Sequence, residues 1–394
     1  MRTGYVAALA VCLLALGTAA AAQGAASLRS VTDRRAAAGT ATDAAVTAKA
    51  TACRTPAPRT AAGFQALFDR LEGGWAGGDG AESVPLPDGR TLWIFGDTIV
   101  GRPAESGGGY APGARMVRNS FVLQDRGCLH PVNGPGGREV LATRRDGSFY
   151  WPTAGIVDAG RLFLFASRMR VTGIDSFAFQ QVGTDVAIVD VPRGGAPVVR
   201  VVRQVSPSDG TAVPSWGQAL ARSGGWLYVY GTRTDPRPYQ FGKELYVART
   251  RPGHLADLRS WRYFDGHRFV ASARAARPVI RSDTGVSTTL SVLVDHRGRA
   301  TLVTKQFGFL GTEVRAWTAP TPVGPFSLAR PRLFAAPSDD RTGELLYLAE
   351  AHPQFRLAGG RTLVTISRNN RDLTKVMRDR LLYRPQFHAV TLPR

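Results

Sequence analysis

Two aspartates flanked by glycine carry the strongest chemical signal in this sequence. Asp79 stands in Gly77-Gly78-Asp79-Gly80 and Asp97 in Phe95-Gly96-Asp97-Thr98. Facing one another at the mouth of a cavity, two carboxyls are the apparatus of glycoside hydrolysis: one protonates the leaving oxygen while the other activates water or attacks the sugar. Trp151 and Trp216 are candidates for stacking on sugar rings, and Arg168 and Arg233 for donating to hydroxyls or biasing the carboxyl pKa values. The plainer account of each aspartate is a turn residue bonded to its own backbone. For the tryptophans the plainer account is packing between sheets, the role expected of Trp93, Trp226, Trp261 and Trp317.

Other polar residues carry weaker signals. Glu350 and His352 alternate along one strand and share a face, but two ligands without a third do not define a metal site. A hydrogen-bonded pair or a sugar contact is the expectation there. Asn119, in Val117-Arg118-Asn119-Ser120, is either a substrate contact or a strand edge, and Asn369 joins the candidates at the end of a later strand. No Gly-x-Ser-x-Gly elbow occurs, and Gly107-Gly108-Gly109 lacks the Lys-Ser or Lys-Thr of a phosphate loop. Neither a cofactor nor a metal is expected.

What would bring Asp79 and Asp97 together is a repeat. The phrase from Asp88 to Thr98 (DGRTLWIFGDT) is echoed from Ala159 to Met169 (AGRLFLFASRM) and from Gly224 to Thr234 (GGWLYVYGTRT). Fainter copies run from Arg297 to Phe307 (RGRATLVTKQF) and from Gly359 to Asn369 (GGRTLVTISRN). Each is a turn with Gly second, followed by a β-branched and aromatic run, so each predicts a strand entered from a hairpin. The starts lie 71, 65, 73 and 62 residues apart. Such intervals hold about four strands with loops, the content of one propeller blade, so the expected fold is an all-β, five-bladed β-propeller.

A segment upstream of each copy, such as Tyr150 to Val157 or Ser287 to Leu293, reads as the innermost strand, with small residues for close approach at the axis. Antiparallel neighbours reverse direction, so the starts of these strands and the ends of the repeats share one face. That face gathers Asp79, Trp151, Trp216, Ser287 with Thr288, and Glu350 with His352 from the starts. From the ends it gathers Asp97, Arg168, Arg233, Gln306, and Arg368 with Asn369. Only the first copy has an acid at the Asp97 place; the others carry Arg, Arg, Gln and Arg.

The rest of the chain bounds the setting. Residues 1–22 have the form of a secretory signal peptide: Arg2, an apolar stretch from Val6 to Leu16, then small residues to Ala22. That stretch is short for spanning a bilayer, and no later run of about 18 apolar residues follows, so export without a membrane span is expected, with an uncleaved N-terminal anchor as the alternative. Residues 23–60, rich in Ala, Thr and Arg, read as a disordered linker, and 61–394 as the propeller domain. A short amphipathic helix opens that domain, with Phe64, Leu67, Phe68 and Leu71 on one face. Cys12 lies in the apolar stretch of the signal, which leaves Cys53 and Cys128 as a disulfide pair for an oxidising compartment. The formal net charge is +20, yet only four of the fifty basic residues are lysine and the arginines are scattered. No zinc-finger spacing, helix-turn-helix pattern or aromatic RNA-binding signature accompanies the charge, so an anionic envelope or acidic glycan is the expected partner rather than nucleic acid. A monomer is expected.

These phrases resemble a bacterial family of secreted five-bladed propellers long catalogued only as a domain of unknown function. The likeness rests on Gly78-Asp79-Gly80 with Ser83, the phrase from Asp88 to Thr98, Ala351-His352-Pro353, Arg368-Asn369-Asn370, and the closing YRPQF from Tyr383 to Phe387. It spans about residue 64 to the C-terminus. Some members are endo-acting arabinanases that cut the D-arabinan of actinobacterial cell walls, and two first-blade aspartates are held responsible. The resemblance implies Asp97 as proton donor and Asp79 as base, in a secreted or envelope-associated hydrolase of a furanose-containing cell-wall polysaccharide. The competing readings are a non-catalytic glycan-binding propeller of the cell envelope and a protein-binding scaffold. Neither needs the singular acid at position 97.

Overall fold

The computed structural model describes residues 53–71, 73–104, 108–173, 178–207, 210–238 and 240–393. The expected signal peptide 1–22 and the linker up to residue 52 lie outside the described residues. The described chain is all-β, with two short α-helices and a few 3-10 turns. Five antiparallel sheets follow one another along the sequence, and a small sixth sheet is let into the first.

Each copy of the repeated phrase forms the second strand of its sheet. These strands are Thr91–Phe95, Arg161–Val171, Trp226–Thr234, Ala300–Lys305 and Thr362–Asn370. Each pairs antiparallel with the segment upstream of it: Glu82–Pro85, Phe149–Asp158, Ser215–Ser223, Leu290–Val294 and Glu344–Arg356. The hairpins explain why Gly recurs at the second turn position. Gly89, Gly160, Gly225, Gly298 and Gly360 all have φ between 69° and 88°, a left-handed conformation that other residues adopt at a cost.

The five upstream strands touch one another in sequence order, and the fifth touches the first, closing a ring. Small residues are needed where they converge. A Cβ on Gly155 would lie 2.7 Å from Val84 Cγ2, and one on Gly217 would lie 2.1 Å from the Phe165 ring. Polar bonds cross the same seams. Thr153 Oγ1 donates to Gly217 O (2.7 Å), Ala351 N donates to Ser291 Oγ (2.8 Å), and Gln354 Nε2 donates to Ser83 Oγ (2.6 Å). Apolar layers fill the wedges between sheets, for example Val84, Ile94, Leu162 and Leu164 between the first and second, and Tyr230, Leu290, Leu302 and Trp317 between the third and fourth.

The helix Ala61–Asp69 fills the wedge between the fifth sheet and the first. Thr60 starts it, its Oγ1 accepting from Gly63 N at 3.0 Å. The i, i+4 spacing turns Phe64 and Phe68 into a layer with Trp75, Trp93, Phe95, Leu363 and Phe387. Both phenylalanines are fully buried, which stabilises the seam by about 2–3 kcal/mol each.

Residues 53–60, assigned to the linker from composition, are fastened to this domain. Cys53 is bonded to Cys128 with 5.9 Å between the Cα atoms, Gly127 N donates to Thr55 O, and Ala358 N donates to Arg59 O. Their anchors are distant in sequence, so local composition carried no sign of them. We predict that replacing both Cys53 and Cys128 by Ala, which frees a loop of 75 residues, costs about 2–4 kcal/mol. Thermal unfolding of the unreduced proteins measures this, and equal Tm values would show that the bridge does not support the fold.

Candidate active site

The sixth sheet sets the two aspartates against each other. Its strand Gly74–Gly78 leads into Glu82–Pro85, and Thr91–Phe95 leads into its second strand, Thr98–Gly101. Pairing is antiparallel on both sides of the gap, with Gly78 opposite Thr98 and Glu82 opposite Ile94. In between, the ladder breaks at Asp79–Ala81 and at Gly96–Asp97. Gly80 (φ 92°) and Ala81 (φ 47°) turn the first strand through left-handed conformations, a strained state for alanine. Two backbone bonds bridge the break: Asp79 N to Asp97 O at 3.2 Å and Gly96 N to Asp79 O at 2.8 Å. Glycine permits the approach on both strands. A Cβ on Gly96 would sit 2.6 Å from Asp79 Oδ1, and one on Gly77 would sit 2.3 Å from Tyr383 O.

The surroundings of the two carboxyls differ. Asp79 Oδ2 accepts from Tyr347 Oη (2.7 Å) and Tyr383 Oη (3.0 Å), and Tyr347 Oη in turn accepts from Asn369 Nδ2 (3.1 Å). Tyr383 is brought in through backbone, Gly78 N donating to its carbonyl at 2.9 Å. The buried guanidinium of Arg384 fixes that stretch by donating to the carbonyls of Ala76, Phe68 and Leu71. Burial, and then the charge of Asp97, push the Asp79 carboxyl up to about 7. Asp97 Oδ1 accepts from Trp151 Nε1 at 2.9 Å, and the Arg118 guanidinium lies 3.4 Å from both carboxylate oxygens. Burial raises Asp97 as well, while Arg118 and Trp151 oppose the rise. Asp79 is therefore the carboxyl that keeps a proton near neutral pH, and Asp97 the one whose anion is held by a cation. Both residues are half-buried and reach solvent.

Deeper in the ring lies a second acid pair. Glu82 and Glu350 hydrogen-bond each other, with Gly155 N donating to Glu82 and Ser291 Oγ to Glu350. Burial raises Glu82 to about 8. Burial and the Glu82 charge raise Glu350 well above the usual carboxyl range. At neutral pH both carboxyls are therefore largely protonated, which lets one donate to the other. His352 lies beside them, its Nδ1 2.5 Å from Ser83 Oγ and its Nε2 2.8 Å from Thr365 Oγ1. Burial lowers its pKa to about 3, so the ring is neutral and structural. Among the described residues no group of three or more His, Cys, Asp or Glu side chains is placed to hold a metal ion. No helix among them is long and apolar enough to cross a membrane.

Of the residues singled out from sequence, Asp79, Asp97, Trp151 and Asn369 stand in the cluster. Trp216 does not: it is 4% exposed and packs on Trp261 and Tyr263 (centroids 6.3 and 5.3 Å away), so no ring face is left for a sugar. Asn119 is fully buried and uses its amide on the backbone of Leu141 and Tyr150, which makes it a structural bracket. Arg168 is bound to Asp185 (3.3 Å) and Arg233 to Glu244 (2.9 Å), so each guanidinium is matched by its own acid. Glu350 and His352 sit inside the ring instead of at its mouth because their strand begins at Glu344. The mouth position in that sheet belongs to Tyr347, opposite Ser367, ahead of a bulge with Leu348 at φ 53°. Sequence reasoning missed Tyr347, Tyr383, Arg118 and Glu82. Arg118 was the neighbour of the selected Asn119, and Tyr383 opens the closing YRPQF phrase.

Residues 62–391 match the family described as Domain of unknown function (DUF5005). The chain belongs to the DUF5005 family. No curated protein matches it in sequence. Among solved structures, a candidate hydrolase from Bacteroides ovatus is 20% identical, with a TM-score of 0.65 over 84% of this chain and 89% of that one, so the two share a fold. Lower likenesses are to a GH43_1 enzyme from Xanthomonas citri complexed with xylose (15% identity, TM-score 0.43, 85% of this chain and 96% of that one) and an endo-arabinase from Bacteroides thetaiotaomicron (12%, 0.44, 83% and 96%). At these TM-scores neither adds to the argument.

In this DUF5005 domain the inner acid pair ties stability to pH. An unfolded glutamate titrates near 4.5, whereas folded Glu82 titrates near 8. Between those values the native state binds more protons than the unfolded one, so the pair's contribution falls as pH rises from about 5 to 8. We predict that Glu82→Gln flattens the decline in Tm across that window. Thermal unfolding at both ends checks this, and equal declines in both proteins would exclude the pair as its source.

Proposed function

We propose that this chain is an exported glycoside hydrolase that cleaves a furanose-containing cell-wall polysaccharide, on a five-bladed propeller formed by its five ringed sheets. The observation that carries the reading is a pair of facing carboxyls in unlike surroundings at a place open to solvent: burial pushes both up, but only Asp97 has a guanidinium and an indole N–H opposing the rise. Asp79 is the general acid. Tyr347 and Tyr383 hold its Oδ2, and Oδ1 presents the proton to the leaving oxygen. Asp97 is the base or nucleophile, its anion favoured by Arg118 and oriented by the Trp151 indole. This order reverses the one implied by the family resemblance, because the cation stands beside Asp97 and not beside Asp79.

The furanose substrate is supported by that resemblance to arabinan-cutting propellers, and the shared fold with a candidate hydrolase agrees with hydrolysis. Export is supported by the form of residues 1–22 and by the Cys53–Cys128 bridge, which suits an oxidising compartment. A purely binding module has no need of two carboxyls set against each other across a broken ladder with a cation on one of them.

Incubation of the purified chain with arabinogalactan is expected to release oligosaccharides; no product from any arabinan would sink the proposal. Asp79→Asn and Asp97→Asn are each predicted to lower kcat by about a thousandfold or more while leaving Tm close to that of the parent. Full turnover in either variant removes that residue from the mechanism.

The pH profile is predicted to be bell-shaped, since Asp79 must be protonated and Asp97 ionised. Rate falls as pH rises through about 7 on the alkaline side. Tyr347 stabilises the Asp79 anion, so Tyr347→Phe should move that limb to higher pH. A limb that stays in place or moves down would contradict the assignment of the acid.

A further inference from the structure

Among the described residues, the most exposed phenylalanine rings lie on two loops far from Asp79 in sequence. Phe241 is 67% exposed and Phe307 48%, and Phe309 and Leu310 beside Phe307 are exposed as well. Phe241 lies between Thr234 and Lys243 in the third sheet, and Phe307 lies between Lys305 and Glu313 in the fourth. Both loops follow the end of a second strand, since Thr234 pairs with Lys243 and Lys305 with Val314. Asp97 follows the end of the second strand in the first sheet, and antiparallel pairing throughout puts all these ends on one face of the ring. The inner strand of the first sheet touches those of the second and fifth, which leaves the third and fourth across from it. The two phenylalanines therefore stand on the far rim of the mouth that holds the carboxyls.

Two features show that the rings are held out on purpose. Phe307 has φ +61°, a left-handed conformation that a bulky side chain adopts only under strain, and its N–H is tied to Gly285 O at 3.0 Å. Next to it, a Cβ on Gly308 would lie 2.6 Å from Phe241 O. A Cβ on Gly285 would lie 2.7 Å from the Gly242 backbone. The two loops are thus interlocked through Gly242 and Gly308, each directly following one of the rings, and through Gly285. On the Phe241 loop, Arg237 is fixed by Asp235 and Ser282, which ties the base of the loop to the segment before the fourth sheet.

We infer that Phe241 and Phe307 form a stacking platform for sugar rings of the substrate polymer, several units away from the bond that is cut. Flat apolar faces open to solvent on the same face of the ring as the carboxyls match the apolar C–H face of a sugar. The inference rests on the hydrolase reading above and adds that the bound segment crosses the whole mouth, from the carboxyls to the far rim. The platform selects for the interior of a long chain over a short one.

The test compares the full chain with Phe241→Ala, Phe307→Ala and the double variant. KM for arabinogalactan is expected to rise about tenfold in the double variant with kcat unchanged. Turnover of a short chromogenic arabinofuranoside should stay at the parent's kcat/KM. Phe241→Trp should restore polymer KM, and Tm should be unaltered because neither ring fills the core. In an Asp97→Asn background, retardation in an arabinogalactan gel should fall by the same factor, which reads binding without turnover. Parent-like polymer KM and retardation in the double variant would overturn the platform and leave the hydrolase standing. An equal loss on the short substrate, or a protein partner captured by these rings that soluble arabinan does not displace, would overturn it too. A parent protein that neither cuts nor binds arabinogalactan would overturn both readings.

Discussion

Two acids of like charge are kept face to face here by backbone, against their own repulsion. The bonds from Asp79 N to Asp97 O and from Gly96 N to Asp79 O cross a gap in an otherwise regular ladder, and the side chains have nowhere to retreat. Gly96 gives Asp79 Oδ1 its room, and Gly77 admits the Tyr383 carbonyl. The conflict is resolved by protonation on one side and by a guanidinium on the other. Left-handed Ala81, the glycine-rich strand, the inserted sixth sheet and the buried Arg384 all make sense as means of holding that geometry.

The ring imposes the same problem a second time, with a different solution. Inner strands that converge must bury much of what they carry, and buried Glu350 is hydrogen-bonded to half-buried Glu82, with Ser291 and the backbone of Gly155 donating to the pair. Neighbouring His352 has both ring nitrogens engaged. Two carboxyl pairs thus share one ring. The outer pair is asymmetric and wet, while the inner one has no cation and joins the first sheet to the fifth. A cation on one member, rather than the presence of two acids, is what distinguishes the outer pair from the inner one.

The hairpins were legible from sequence because their signals are local: a Gly that must be left-handed, then a β-branched and aromatic run. The helix was legible for the same reason, through the spacing of Phe64 and Phe68. The aspartates were legible because one of them breaks the repeat. What escaped was register. Nothing local in Glu344–Arg356 says that the strand begins at Glu344 and bulges at Leu348, and on that depends whether Tyr347 or Glu350 reaches the mouth. Trp216 likewise precedes a bulge before Ala219 and joins the core, and one step of strand alternation separates Arg118, on the carboxylate, from Asn119, in the interior. Tyr383 belongs to no repeat and meets Asp79 from 304 residues away, a contact only the closed ring creates.

That last contact has a consequence for how the molecule comes into being. Both aspartates leave the ribosome early, but the hydroxyls that hold Asp79 arrive with the final sheet, and the early helix finds its packing partner Phe387 only then. Until the tail of the chain has emerged, the nascent polypeptide carries both acids without the hydroxyls that hold Asp79, so the asymmetry between them is acquired only when synthesis is nearly complete.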